Sequence, residues 1–241
     1  MARALMLASV IVALGGLVRL EQSLSAKPPV SSRLSLVKVS CYGIERWSVK
    51  TLSDPGRASA RTSQPVKSSV ADLWSRGRRK GSPALGETRA SGELKVYTVT
   101  GRLVKARFVD DSADASGKGG GDRDIHLVIA APKDKAAKPK TMIVEFPDPG
   151  CVKAADPGPR ALMAAARKAL ATSCGHAPKH AFYDLSGTAT ITGVGFYDRP
   201  HGDGRALHGF ELHPVIAFRS SDCKWGPKSP APDPRMLNLK G

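Results

Sequence analysis

The chain has 241 residues, with 37 lysines and arginines against 21 aspartates and glutamates and a formal net charge of +16. Hydrophobic residues make up 41% of the chain. This composition excludes a fully disordered chain, and no apolar run is long enough for a multi-span membrane protein. The length allows one domain, or a small domain with appendages.

The N-terminus has the pattern of an export signal, predicted over residues 1–25. Arg3 supplies a positive start and residues 4–18 are uncharged and largely apolar. Ser23-Leu24-Ser25 then places small residues at the two positions that a signal peptidase reads. The run is shorter than the roughly 20 residues of a spanning helix, and a retained membrane anchor is the alternative. We therefore expect a secreted, periplasmic or cell-envelope protein with no membrane span in its mature chain.

The four cysteines all follow this signal, and an even number in an oxidising compartment predicts two disulfides. Three connectivities are open. The favoured one pairs Cys151 with Cys174, at the two ends of one helical segment, and Cys41 with Cys223. A zinc site is the rival interpretation, but the chain has no C-x-x-C pair.

Most of the positive charge lies in the N-terminal part of the chain. Residues 26–92 hold 13 basic and 4 acidic residues, whereas residues 93–241 hold 22 and 16. The basic segment includes the run Arg76–Lys80 and ends in a linker rich in glycine, serine and proline. Such a segment attracts polyanions such as nucleic acid, anionic lipid or acidic glycans. The alternative is a solvated tail that keeps the protein soluble.

Two short elements are predicted within the basic segment. Residues 40–50 alternate enough for a short strand, and Ser69 is suited to cap a helix over Val70–Arg76. Trp47 and Trp74 are expected to pack against the main domain. Stacking against a ligand is the alternative for either tryptophan.

The remaining pattern predicts a mainly β fold with one helix. The predicted strands cover Leu94–Val109, Asp124–Ala130, Thr141–Phe146, Thr188–Asp198 and Gly209–Arg219, and the helix covers Pro159–Thr172. The order β-β-β-α-β-β is that of a five-stranded OB-like barrel, here predicted over residues 93–223. A small sandwich or an α+β sheet is the alternative. The proline-rich tail, residues 224–241, has no strand or helix pattern and is expected to be mobile.

Period-two alternation divides each strand into two faces. Ile125, Leu127 and Ile129 share one face of the second strand. One face of the last strand is expected to carry four apolar residues: Phe210, Leu212, Ile216 and Phe218. These sets predict the barrel interior.

Five motifs carry a resemblance that covers most of residues 41–219. They are Glu45–Leu52, Asp122–Ile129, Glu145–Asp148, Ile191–Asp198 and Glu211–Val215. With these motifs the chain resembles a family of exported, functionally uncharacterised bacterial proteins. The resemblance implies export but names no activity.

A weaker resemblance is to thermonucleases of the staphylococcal nuclease type, which have an OB fold. Asp122 and Asp124 match the two aspartates of that family's first motif, and Pro147-Asp148-Pro149 partly matches the second. The resemblance implies that Asp122, Asp124 and Asp148 are metal-ligand candidates. The family's catalytic arginine falls on Ile143 and its glutamate base on Cys151, which argues against the same mechanism.

Acidic and histidine residues alternate with the apolar residues of two predicted strands. Asp124 shares a face with His126, and Glu211 shares a face with His213. These four residues are the catalytic candidates, and an enzyme site would also include Glu145. Carboxylates suit calcium or magnesium, and imidazole suits zinc or a general base. No cofactor is certain, and a divalent cation is the candidate. The alternative is that each residue has a structural role, and sequence alone does not place the two pairs together.

Basic residues of the loop between the last two strands and of the first strand are the ligand-binding candidates. These are Arg199, His201, Arg205, Lys105 and Arg107. OB barrels often contact ligands through this loop, and a polar hairpin loop is the alternative.

Three functions are therefore considered, in this order, for a chain expected to be monomeric. The first is an exported module that binds a polyanion, with nucleic acid as the first choice. The second is a structural or envelope-interaction protein, and the third is a metal-dependent phosphodiesterase. Against the first, aromatic residues make up only 5% of the chain, and nucleic-acid stacking needs exposed rings.

Overall fold

A computed structural model describes residue 41 and residues 46–60, 64–77, 88–109, 123–178, 181–198 and 204–229. The predicted export signal, the acidic loop 110–121 and most of the proline-rich tail lie outside the described residues. No helix in the described ranges has the length and apolar character needed to cross a membrane.

The described elements are mostly strands. The helices are α1 (Trp47–Lys50), α2 (Val70–Trp74) and α3 (Pro157–Cys174). The strands are β1 (Val66–Lys67), β2 (Val96–Phe108), β3 (Ile125–Ala130), β4 (Thr141–Phe146), β5 (Tyr183–Ser186), β6 (Thr188–Tyr197), β7 (Phe210–Arg219) and β8 (Lys224–Trp225). Short 3-10 turns cover Arg57–Ser59 and Ser91–Leu94.

Five of these strands close into a barrel. Their order is β2-β3-β4-β7-β6, and β6 pairs with β2 again. The β4–β7 pair is parallel and is registered only at Val144 and Leu212, whereas the other barrel pairs are antiparallel. Since α3 lies between β4 and β6 in the chain, this is the topology of an OB fold, and the predicted fold class is confirmed.

Three strands outside the barrel were not predicted. β1 pairs with β2, and β5 pairs with both β2 and β8. β8, with Lys224 and Trp225, lies at the start of the tail that was expected to have no regular structure. These strands have two to four residues each, which is too short for an alternating pattern to be read.

The barrel interior is formed by the alternate apolar side chains of its strands. It includes Leu103, Phe108, Leu127, Ile129, Val144, Phe146, Phe210 and Leu212. The predicted inward set of β3 is confirmed. However, every residue of β3 is buried, and five of the six residues of β4 are, so the outer face of these strands is covered as well.

A second, smaller core explains this covering. Leu52 of the N-terminal segment and Val152 of the loop after β4 pack with Met163 of α3, Val194 and Ile216. Ile216 was predicted to point into the barrel, and this prediction is wrong. The β6–β7 register shifts near Gly193, and a shift of this kind changes the face on which the following side chains lie. Val215 takes the inward position instead.

The helix predictions are largely confirmed. The Ser69 hydroxyl accepts a hydrogen bond from the backbone N–H of Asp72 and caps α2, and α3 extends two residues beyond each predicted end. The strand predicted over residues 40–50 is wrong, because Trp47–Lys50 forms a helical turn. Four successive residues, Val49–Leu52, are buried there, which a strand with one solvent face does not allow.

Ion pairs hold the N-terminal segment, residues 46–60, against the barrel. Arg46 donates two hydrogen bonds to the carboxylate of Glu93. Arg89 donates to both oxygens of Asp54 at 3.0 and 2.7 Å, and both side chains are almost fully buried. Trp74 is partly buried against the barrel core, as predicted.

The cysteines form two disulfides, as predicted, but the favoured pairing is wrong. Cys41 pairs with Cys151, and Cys174 pairs with Cys223, at Cα–Cα distances of 5.2 and 5.0 Å. Cys151 precedes α3 and Cys174 ends it, and an 18-residue helix is about 27 Å long. A single disulfide does not span that length. Two disulfides are consistent with an extracellular location.

Candidate functional site

The predicted acidic and histidine residues meet on the outer face of the barrel. Asp124 precedes β3, which carries His126, and β7 carries Glu211 and His213. Glu145 of β4 lies directly opposite His126 in the register. Their neighbours in each strand point into the barrel, and this alternation turns all five side chains outward. The two co-facial pairs therefore form one cluster.

Four members of this cluster alternate as acid and base. Oδ2 of Asp124 lies 3.0 Å from Nε2 of His213, and Nδ1 of His213 lies 2.6 Å from Oε2 of Glu145. Oε1 of Glu145 lies 3.0 Å from Nε2 of His126. His213 forms ion pairs with Asp124 and Glu145, whereas the contact of His126 with Glu145 depends on the protonation of His126. The ring N–H directions do not give the nitrogens of either histidine regular hydrogen bonds.

The cluster is buried beneath the N-terminal segment. Asp124 and His213 have no exposed surface, and the most exposed member, His126, retains 8%. Lys50 of α1, also 8% exposed, brings a cation to the site. Its Nζ lies 5.4 Å from the ring centre of Phe196, whose ring is 5.6 Å from that of His213. No sequence pattern singled out Lys50, because its place here depends on how the N-terminal segment folds back.

The central pair of the cluster is a carboxylate and an imidazolium. Burial acts to raise the pKa of Glu145, but the charges of the two histidines and Lys50 outweigh it and hold that pKa well below its usual range. Burial likewise acts to lower the pKa of His213. The charge of Glu145 and the contacts with all three surrounding carboxylates outweigh it and raise the pKa of His213 well above its usual value.

Glu211 and His126 are uncharged at neutral pH. Burial and the neighbouring charge of Glu145 raise the pKa of Glu211 to about 8. Burial lowers the pKa of His126, and the nearby carboxylates only partly oppose this. The metal-free cluster therefore has one protonated carboxyl group and one neutral imidazole at neutral pH.

Glu211 connects the cluster to the surface. It lines a shallow pocket together with Ile143, Asp198 and the exposed Arg205. Arg205 was a predicted ligand-binding residue, while Arg199 and His201 lie outside the described residues. In the predicted resemblance to thermonucleases, Ile143 is matched to the catalytic arginine, and Cys151, which is in a disulfide, is matched to the glutamate base. The thermonuclease mechanism therefore lacks both groups here.

Two of the three predicted metal ligands lie within the described residues, and they have different partners. Asp124 belongs to the cluster, whereas Asp148 forms an ion pair with Arg123 at 3.0 Å and Asp122 lies outside the described residues. Among the described residues, the set that could hold an ion is Asp124, Glu145 and His213.

Basic side chains of β2 form a second candidate surface, which adjoins the cluster where Arg107 is registered with His126. The partly exposed side chains of Lys105 and Arg107 both lie over the ring of Phe182, at 4.7 and 4.8 Å from its centre. Arg102 of the same strand donates a hydrogen bond to the carbonyl of Asp134, in the turn between β3 and β4. That turn carries four exposed lysines, which are Lys133, Lys135, Lys138 and Lys140. Two predicted ligand-binding residues thus belong to a larger basic surface.

Comparison of the chain with protein-family models, with curated proteins and with solved structures finds no match. The resemblances read from the sequence motifs therefore stay predictions.

Proposed function

We propose that this protein is an exported OB module that binds a polyanion, with single-stranded nucleic acid as the first choice. The observation that carries the proposal is the position of Phe182, whose ring is covered by Lys105 and Arg107. Single-strand binding that tolerates any sequence uses aromatic rings beside cationic side chains. A base would stack on Phe182 where a cation moves from the face of the ring to a phosphate.

The lysine-rich turn extends this surface. Lys140 lies over the ring of Trp74 at 4.7 Å, which makes a second pairing of a cation with a partly exposed aromatic ring. The turn is joined to β2 by the hydrogen bond of Arg102. A backbone with one negative charge per nucleotide would meet cations at each of these two places.

Burial of the acidic cluster favours binding over catalysis. None of its five members is more than 8% exposed, so a polymer reaches them only if the N-terminal segment moves. The basic surface, in contrast, needs no rearrangement.

The test is the affinity for a labelled single-stranded oligonucleotide, measured by fluorescence anisotropy over a salt series. A double variant, K105A/R107A, should bind more weakly and reduce the slope of log K against log salt by about 1.4, since each phosphate contact to a single strand contributes about 0.7. The matched control is R160A/K168A on α3, which removes the same charge from another element. Absence of binding at low salt, or equal losses in both variants, would end the proposal.

The ring itself is tested by Phe182→Ala. A stacked base contributes about 1–3 kcal/mol, so the affinity should fall by about 5- to 150-fold with the salt slope unchanged. A variant with unchanged affinity would show that Phe182 only supports the two cations.

The disulfides support export, and we propose that residues 1–25 are removed on the way out of the cell. Mass spectrometry of the protein recovered from its host should give a chain that begins at Ala26. Recovery of the intact chain in the membrane fraction would instead identify a retained anchor.

A phosphodiesterase is the second candidate, because Glu211 and Arg205 face a surface pocket that adjoins the cluster. It predicts hydrolysis of a phosphodiester that stops with a chelator and with Glu211→Gln. If neither binding nor turnover is measured, a structural or envelope-interaction protein remains.

A further inference from the structure

We propose that Asp124, Glu145 and His213 form a binding site for one divalent transition-metal ion, of the zinc or manganese type. The site is argued from the cluster alone and does not depend on polyanion binding.

The distances fit an ion. Each of the three residues offers one ligand atom, and these atoms all lie within 4.8 Å of one another. Two ligands at about 2.0–2.2 Å from a tetrahedral ion are about 3.4 Å apart, so the widest pair of these atoms would close by up to about 1.4 Å when an ion binds. The 3.0 Å between Oδ2 of Asp124 and Nε2 of His213 is already close to the separation of neighbouring ligands.

A second observation points to a ligand at the same place. Oε1 of Glu211 is buried without a hydrogen-bond partner and lies 3.9 Å from Nδ1 of His213, beyond hydrogen-bonding distance. Neither ring nitrogen of His213 has a regular hydrogen bond, although the side chain is fully buried. Buried polar atoms are normally satisfied, and a group of unsatisfied donors and acceptors that converge is explained by an ion. Glu211 itself lies beside Nδ1 of His213, on the other side of the ring from Asp124, and stays outside the three-ligand set.

The donor set selects the class of metal. Calcium takes six to eight oxygen ligands, whereas imidazole suits zinc and its neighbours in the first transition row. Two carboxylates and one imidazole therefore favour zinc or manganese over calcium. Thiolates play no part, because all four cysteines are in disulfides.

Such an ion would join strands where the barrel has its shortest registered pairing. Its ligands come from the start of β3, from β4 and from β7, and the β4–β7 pair is registered at a single position. One ion would join these three strands beneath the N-terminal segment. The expected consequence is a barrel whose melting temperature rises with metal concentration.

The experiment is isothermal titration of the full, oxidised chain with Zn²⁺ and with Mn²⁺, after removal of metal by a chelator. One ion should bind per chain. Losing a hydrogen-bond partner of a metal ligand weakens metal binding by up to about 100-fold. Asp124→Asn and His213→Gln change the ligands themselves, so each should weaken binding by more than about 100-fold. His208→Gln, at an exposed histidine, is the matched control and should bind as the unmodified chain does. Absence of stoichiometric binding, or the same loss in the control, overturns the proposal.

A spectroscopic measurement on the unmodified chain covers the case in which a cluster variant fails to fold. Co²⁺ bound at the site should give visible absorption bands of a low-coordinate ion with nitrogen and oxygen ligands, and Zn²⁺ should abolish them by competition. A spectrum identical to that of aqueous Co²⁺ would contradict the site.

Discussion

Glu211 makes the stability of the metal-free protein depend on pH. Burial and the charge of Glu145 raise its pKa from an ordinary 4.5 to about 8. Between these two values the folded chain holds a proton that the unfolded chain has released. Since the folded state binds more protons there, the free energy of unfolding decreases as the pH rises from about 4.5 to about 8.

Replacing Glu211 by glutamine should reduce this pH dependence. The change removes a slope of up to about 1.4 kcal/mol per pH unit between pH 5 and 8, and the variant should be more stable than the unmodified chain at pH 8. Urea unfolding at several pH values, with a chelator present, measures it. Asp184→Asn, at an exposed carboxylate, is the control and should leave the slope unchanged. An unchanged slope in Glu211→Gln would contradict the assigned pKa.

Asp54 neutralises a guanidinium that has no access to water. Arg89 makes two hydrogen bonds to this carboxylate, and both side chains are at most 1% exposed. Asp54→Asn leaves the charge of Arg89 uncompensated and should destabilise the fold by about 3–5 kcal/mol. Asp156→Asn removes the partner of Arg57 in an exposed pair and should cost less than about 1 kcal/mol. Denaturant unfolding measures both losses of stability. Equal losses in the two variants would show that burial does not determine how much each ion pair contributes to stability.

The members of the acidic cluster were predictable one strand at a time, but their meeting was not. Period-two alternation places Asp124 with His126 and Glu211 with His213, because each pair is two residues apart in one strand. Which strands lie side by side is decided by barrel closure, and Lys50 joins them only through the folding of a segment that was expected to be a strand.

At the scale of elements, the chain order of the five barrel strands was predictable because each is a run of at least six residues rich in apolar and β-branched side chains. The orientation of Ile216 was not predictable, because the register shift near Gly193 cannot be located from the residue types in β6 and β7. The pairing of the cysteines also required the observed length and position of α3.

Gly195 of β6 lies at a close approach between two elements. A Cβ added there would lie 2.4 Å from the carbonyl oxygen of Gly92, in the 3-10 turn, and 2.8 Å from the ring of Phe210. Because the nearest atom is backbone, Gly195→Ala should cost about 1–3 kcal/mol or more. Gly158→Ala, in the first turn of α3 with nothing within 4 Å, should be neutral or stabilise by up to about 1 kcal/mol. Thermal unfolding compares the two, and a neutral Gly195→Ala would mean that the turn moves away freely.

At the scale of the whole molecule, the two disulfides hold different parts of the chain to the barrel. Cys41–Cys151 ties the start of the N-terminal segment to the loop after β4, over a separation of 110 residues. Cys174–Cys223 ties the end of α3 to the chain after β7, over 49 residues. The first disulfide therefore anchors the part of the chain that covers the acidic cluster. The second anchors the C-terminal end of α3.

This division predicts different local effects for similar global costs. C41S/C151S and C174S/C223S should each lower the free energy of unfolding by about 2–4 kcal/mol. Only C41S/C151S should increase hydrogen exchange of the backbone amides in residues 46–54, because this segment covers Glu145 and His213 and would open locally without its tether. The amides of β6 in the same variant serve as the internal control. Equal protection of residues 46–54 in both variants would show that the ion pairs of Arg46 and Arg89 hold the cover in place without the disulfide.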